Sequence, residues 1–226
     1  MSRTAKAITI MFLLFIPACS MPETRIYSIS VLHDLKATDS PVDKSIVIQM
    51  DSENYLRQPY IVHRNSPYEL DIAKYSKWES SPYKMVRKEL KDSLLSLDLF
   101  SDISVSSVSQ KNSYILRVDL SKFERHDEGE KSYAFLEFDV DLLSPVGQKI
   151  YSDSVSSKEA LDGRDFKNLA EVMSLSLKRG IDKTVIAVAE AIRKHMKATG
   201  QGQNDRRPTC RSHFHRQCRQ FPPCRQ

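Results

Sequence analysis

The sequence predicts an α/β chain of the α+β kind: a mixed, largely antiparallel sheet with two main helices packed on its apolar face. Two patterns carry that reading. Between Tyr114 and Leu142, apolar residues alternate with polar ones, the period of a half-buried strand. Two other stretches, opening at Ser81-Pro82 and at Phe166, repeat their apolar residues every three or four positions, as an amphipathic helix does. No internal repeat divides the chain, and its 226 residues, 40% of them hydrophobic, suit one core-bearing domain or at most two.

The elements follow in order. RIYSISV (Arg25–Val31) alternates as a strand does. KSIVIQM (Lys44–Met50) is β-branched and bounded by DSPVD and DSEN, again a strand. QPYIVHR and YELDIA, separated by NSP, predict a hairpin. Ser81-Pro82 opens the first helix: serine at the N-cap offers a hydroxyl to a free N–H, and proline at N1 has no N–H to satisfy. Tyr83, Val86, Leu90, Leu94 and Leu97 form one stripe, with Lys84, Lys88 and Lys91 off it.

FSDISVSSV (Phe100–Val108) is expected to lead into a meander. There Tyr114, Leu116, Val118 and Leu120 share a face, as do Ala134, Leu136, Phe138, Val140 and Leu142. HDEGE and Ser144-Pro145-Val146-Gly147 supply the turns, and QKIYSDSVSS the third strand. The clean alternation leaves one face wet. The second helix runs from about Phe166 to Met196, with Asp165 as its N-cap. Gly180 interrupts its stripe at a cost of ~1 kcal/mol relative to alanine and is expected to mark a bend.

The chain opens with Arg3 and Lys6, then ten uncharged residues, Ala7–Ile16. A bilayer crossing takes about twenty. This is the layout of a secretory signal peptide. It ends in Ile16-Pro17-Ala18-Cys19, which resembles a lipobox and makes Cys19 the expected lipidation site; ordinary cleavage after Ala18 is the alternative. Several acyl chains anchor stably where one does not. Ser20 rather than Asp resembles the outer-membrane sorting pattern of Gram-negative lipoproteins. The expected division is a signal peptide over 1–18, a lipidated tether over 19–25, a folded domain over 26–198, and a disordered basic tail over 199–226.

The tail holds six arginines against Asp205, which accounts for the whole formal charge of +5. With no basic face left for the folded body, a nucleic-acid partner is not expected. Three of the four cysteines also lie in the tail. Cys210, His213, His215 and Cys218 could ligate zinc or copper, but nothing folded orients them, so an unstructured basic tail is the expected reading and no metal or cofactor is assigned. His33, His63, His126 and His195 are scattered, and no G-x-S-x-G, H-E-x-x-H or Gly-rich phosphate loop is present. Asp139 and Asp141 share a strand face, where they are expected to solvate the sheet. No enzyme is expected; a hydrolase would need a nucleophile beside His63 or His126.

One segment is more specific: Asn54–Tyr83, dense in aromatic residues and holding the only tryptophan. Tyr55-Leu56-x-x-Pro59-x-Ile61-Val62-x-Arg64, then Leu70, then Lys77-Trp78, then a helix, resembles the ABC-type transport auxiliary lipoprotein family, with Trp78-Glu79-Ser80-Ser81-Pro82 departing by one residue from the family's usual continuation. The resemblance covers roughly Cys19 to Met196. It implies a sandwich akin to the anticodon-binding type, often assembled into homo-oligomeric rings. It also implies a non-catalytic role in transport of lipids or other apolar solutes between two membranes, with ring-forming MCE-domain proteins and ABC or integral-membrane components as partners. Tyr55, Leu56, Pro59, Tyr60, Arg64 and Trp78 are then candidates for partner contact, while Trp78 and the tyrosines could equally be core. An outer-membrane assembly or envelope-structural lipoprotein is the alternative function.

Overall fold

The computed structural model describes residues 22–32, 42–108 and 111–200. Their elements are β1 (Arg25–Tyr27), β2 (Val42–Ser52), a 3-10 turn (Asn54–Arg57), β3 (Tyr60–Ser66), β4 (Glu69–Trp78), α1 (Pro82–Ser96), β5 (Phe100–Val105), β6 (Tyr114–Glu128), β7 (Lys131–Leu143), β8 (Lys149–Ala160) and α2 (Phe166–Ala198). The eight strands form one mixed sheet. The signal segment, Cys19, His33 and the tail with Cys210, His213, His215 and Cys218 lie outside the described residues.

β6 is the spine of the sheet. Along one edge it pairs antiparallel with β7 from Ile115 to Glu128, and β7 in turn pairs with β8. Its other edge is shared. Residues 114–120 pair parallel with β2, and Arg125 and His126 pair parallel with His63 and Arg64 of β3. The change of partner coincides with a bulge: Leu120 faces Phe138 and Lys122 faces Glu137, so Ser121 is the extra residue. Beyond it the core-facing alternation resumes at Phe123, three positions after Leu120.

The β3–β4 hairpin forms as expected, with Ser66 opposite Glu69. Three expectations change. Phe100–Val105 does not lead a meander; it pairs parallel with β2, so the chain crosses β2 to begin β6 on its far side. The helix between β4 and β5 permits this parallel addition, which strand patterning alone does not reveal. The first strand stops at Tyr27, where its pairing with β4 ends, and Ile29 and Val31 pack on the core as irregular chain. Ser81 begins α1 but accepts no side-chain capping bond: its hydroxyl is buried with no partner among the described residues, while its carbonyl accepts from Lys84 and Met85 at 2.9 and 3.0 Å.

Both helices bury their apolar stripes on the same face of the sheet. Val86, Leu90 and Leu94 of α1, and Leu169, Met173, Leu177, Ile181, Val185, Val188 and Ile192 of α2, join one core with Leu116, Leu120, Leu136 and Phe138. Asp165 caps α2 through Asn168 N at 2.9 Å, as expected. Gly180 has a packing role. A methyl group there would stand 2.9 Å from Val155 Cγ1 and 3.3 Å from the Phe138 ring, so its absence lets α2 approach β7 and β8. Gly180→Ala should therefore lower the unfolding free energy by about 1–2 kcal/mol despite its gain in helix propensity, because overpacking a close-packed core outweighs that gain. Chemical denaturation of the two proteins would measure it; greater stability would refute the close-approach reading.

Candidate docking site

The aromatic segment folds as a clasp on β6. Glu53 N donates to Leu120 O at 3.3 Å, continuing the line of β2 to the bulge. The 3-10 turn then plugs Leu56, 1% exposed, into the core. Tyr55 donates its hydroxyl to Ser121 O and to Glu124 Oε2, both at 3.1 Å. Arg64 Nε donates to Glu124 Oε1 at 2.7 Å, and His126 Nε2 lies 2.8 Å from the same oxygen. The Glu124 side chain is fully desolvated, 0% exposed. An ionised carboxylate in that setting is tolerated because a guanidinium and two hydrogen-bonding groups surround it.

This network shifts its members' acidities. Burial, then the neighbouring Glu124, raises the Tyr55 pKa far above the ordinary tyrosine value. Burial opposes the charge on Arg64, but its hydrogen bond and ion pair with Glu124 prevail and raise its pKa.

Four of the six sequence candidates thus hold the turn from within. Tyr55 and Arg64 bind Glu124; Leu56 is core; Trp78, 1% exposed, stacks edge-on against Phe123 at 5.4 Å. Pro59 is half-buried, and its carbonyl accepts from Trp78 N at 3.0 Å, joining the two ends of the segment. Tyr60 alone of the six is exposed. Glu124 and the Ser121 bulge carry the clasp, and sequence reasoning did not single them out. The one trace they leave is the broken alternation between Leu120 and Phe123.

His63 and His126 are not brought to a nucleophile. His63 packs against Phe166, and burial, then the nearby Arg125, lowers its pKa. His126 sits on Glu124 and Phe135. Neither imidazole is bonded to a serine or cysteine among the described residues.

Beside the clasp, a groove of about 1070 Å³ runs over β2, β6, β7 and β8. Asp51, Asp119 and Asp139 stand in one row across three strands, each directly opposite the next. Like charges so placed repel. Burial, then Asp51 and Asp139, raises the Asp119 pKa. Asp51 is neutralised by Arg57; Asp119 and Asp139 have no ion-pair partner among the described residues. Arg57 and Arg87 both lie over the Tyr83 ring, at 4.8 and 5.1 Å, and line the same groove. Asp141, bonded to Lys149 and Ser152, faces the groove too, so the wet face expected for Asp139 and Asp141 is observed.

Comparison with known proteins agrees with this architecture. A family model described as "ABC-type transport auxiliary lipoprotein component" matches residues 37–183. No curated protein matches the chain. The crystal structure of XCC0632 from Xanthomonas campestris, a DUF330 protein, superposes with a TM-score of 0.65 at 16% identity, covering 76% of this chain and 99% of that one. A second solved structure, of an uncharacterised protein, gives a TM-score of 0.58 at 15% identity over 74% of this chain and 99% of its own. At these identities the likeness is one of fold.

Three substitutions test the site. Arg64→Met should cost about 3 kcal/mol of stability by leaving Glu124 short of a partner, and Tyr55→Phe about 1 kcal/mol at neutral pH. Because the folded Tyr55 holds its proton above the pH at which the unfolded chain releases it, about 10, its contribution is complete below that pH and is lost as pH rises further. Tyr55→Phe should accordingly show a shallower alkaline decline than the parent, while Tyr151, pushed up to about 12 by burial and then Asp153, keeps its share. Asp119→Asn should raise stability at pH 7 by roughly 0.5 kcal/mol, a surface effect that fades in molar salt. An unchanged or lowered stability would show that the acidic row carries no repulsive cost.

Proposed function

The chain belongs to the ABC-type transport auxiliary lipoprotein family, and from that premise we propose that it is an outer-membrane-anchored, periplasm-facing docking component of an intermembrane transport system for lipids or other apolar solutes. The observation that carries the reading is the extent of the family match. Residues 37–183 run from before β2 into α2 and so take in nearly the whole packed domain.

The protein's contribution is location and contact area, without catalysis. Acylated Cys19 supplies the location. The contact is made where the clasp meets the groove, with an MCE-domain ring or an ABC or integral-membrane component as the partner. Tyr55, Leu56 and Arg64 support this surface from beneath, and Pro59 lies at its margin. Several features suit the groove to protein recognition. The turn that presents Arg57 is tied to β6, Tyr83 meets the guanidiniums of both Arg57 and Arg87, and the aspartate row stands in spite of its repulsion. Sites that violate a local stability rule are where function is expected. No helix among the described residues is long and apolar enough to cross a membrane, which leaves attachment in this reading to the lipid.

Mass spectrometry of the mature N-terminus should find Cys19 diacylated and Ser20 following it. An MCE-domain protein should copurify with the native chain. Cys19→Ser should abolish recovery of this chain from membrane fractions, and Arg87→Glu should abolish the copurification with the anchor intact. An unmodified N-terminus, or a soluble partnerless monomer, would overturn the proposal.

A further inference from the structure

Phe166 of α2 packs on Tyr27 and His63 on one face of the β1–β4–β3 wing, and much of the other face is bare. On the bare side Ile26, Lys77 and Tyr60 form one row across the three strands, since Lys77 pairs with both Ile26 and Tyr60. In the next row exposed Ile72 lies opposite Val62, which is itself buried. Tyr75 lies between these rows in β4, and Tyr68, 97% exposed, tips the hairpin. Ile26 is 61% exposed, and Tyr60, Ile72 and Tyr75 are each more than 40% exposed. Large apolar side chains left bare on one wing mark an interaction surface.

Where the wing begins indicates what covers it. β1 starts at Arg25, six residues after Cys19. Extended, six residues span about 20 Å. Ile26, one residue further, already belongs to the bare row. A lipid anchor at Cys19 therefore delivers this wing to the headgroup layer before any other part of the fold.

We infer that the bare face of β1, β3 and β4 lies on the bilayer surface, with Ile26, Tyr60, Ile72 and Tyr75 at the boundary between headgroups and acyl chains. The chemistry fits each residue type. Tyrosine places an apolar ring inward and its hydroxyl at headgroup level, and Lys74 and Lys77 extend their stems along apolar surface while their ammonium groups stay among the phosphates. Exposed Glu69 offsets part of that positive charge, so apolar burial is the main attraction and the contact should persist in high salt. This placement of the wing rests on the anchoring read at Cys19.

The test uses the complete mature chain, acylated, in vesicles of phosphatidylethanolamine and phosphatidylglycerol that contain brominated acyl chains. Ile72→Trp and Tyr75→Trp each place a reporter on the face; Leu175→Trp, on the exposed side of α2, is the control; buried Trp78 gives a constant background. The bromines should quench the two face reporters and spare the control, in low and in molar salt alike. For the unacylated mature chain, Ile72→Ser with Tyr75→Ser should lower partitioning into the same vesicles by about tenfold. An acylated chain that floats with the vesicles while all three reporters stay bright would overturn the membrane face and leave the anchor standing. A face that becomes protected only when a protein partner is added would do the same. A chain that is neither acylated nor vesicle-bound would overturn both.

Discussion

The arrangement depends on one desolvated carboxylate. Glu124 lies on β6 just beyond the Ser121 bulge, where the strand exchanges β2 for β3 along its edge. A sheet that changes partner mid-strand must bridge the gap with chain that cannot belong to either ladder. Here the bridge is the turn Asn54–Arg57, and its polar and apolar sides are secured separately. Leu56 enters the core, while Tyr55 and Arg64, one from each side of the gap, meet on Glu124. The carboxylate needs these partners because water does not reach it, and the turn needs the carboxylate because a 3-10 turn has little intrinsic stability. The mutual requirement explains why both the tyrosine and the arginine of this segment turn toward Glu124.

A second buried polar group ties the other layer to the same strand. Arg125 and Asp127, next to Glu124 but on the helix-facing side, are ion-paired at 2.8 Å. Arg125 also donates to Arg164 O at 2.6 Å and lies 5.0 Å from the Phe166 ring centre. Burial works against the charge on Asp127, but hydrogen bonds from Ser132 and Arg125 prevail and hold its pKa below the ordinary carboxylate value. The start of α2 is thereby positioned over β6, and Gly180 allows the middle of the helix to descend onto β7 and β8. One strand thus organises both the clasp on one side and the main helix on the other.

With the helices occupying one face, the remaining face divides by chemistry. Over β2, β6, β7 and β8 it is charged and grooved; over β1, β3 and β4 it exposes Ile26, Tyr60, Ile72 and Tyr75 among Lys74 and Lys77. The division follows the residues that each part turns outward. β7 and β8 are long and extend the spine with serine and aspartate outward, whereas the hairpin is a short wing whose outward residues include tyrosine and isoleucine. A component with two such surfaces can meet a polar partner and an apolar environment at once, which suits an auxiliary part that works beside a membrane.

The sequence by itself determined the element list, the apolar stripes of both helices, the β3–β4 hairpin, the Asp165 cap and the family, because each is written in local periodicity or local order. It also marked Tyr55, Leu56, Arg64 and Trp78 as special and left a core place open for Tyr55 and Trp78, without revealing that Leu56 and Arg64 turn inward as well. Only the tertiary structure decided that Phe100–Val105 adds in parallel beside β2, that Ser121 is a bulge, that Glu124 gathers Tyr55 and Arg64, and that three aspartates from β2, β6 and β7 align. The physical reason is that these facts concern register and partner choice between segments as much as seventy residues apart, and period-2 alternation reads the same whichever strand lies alongside.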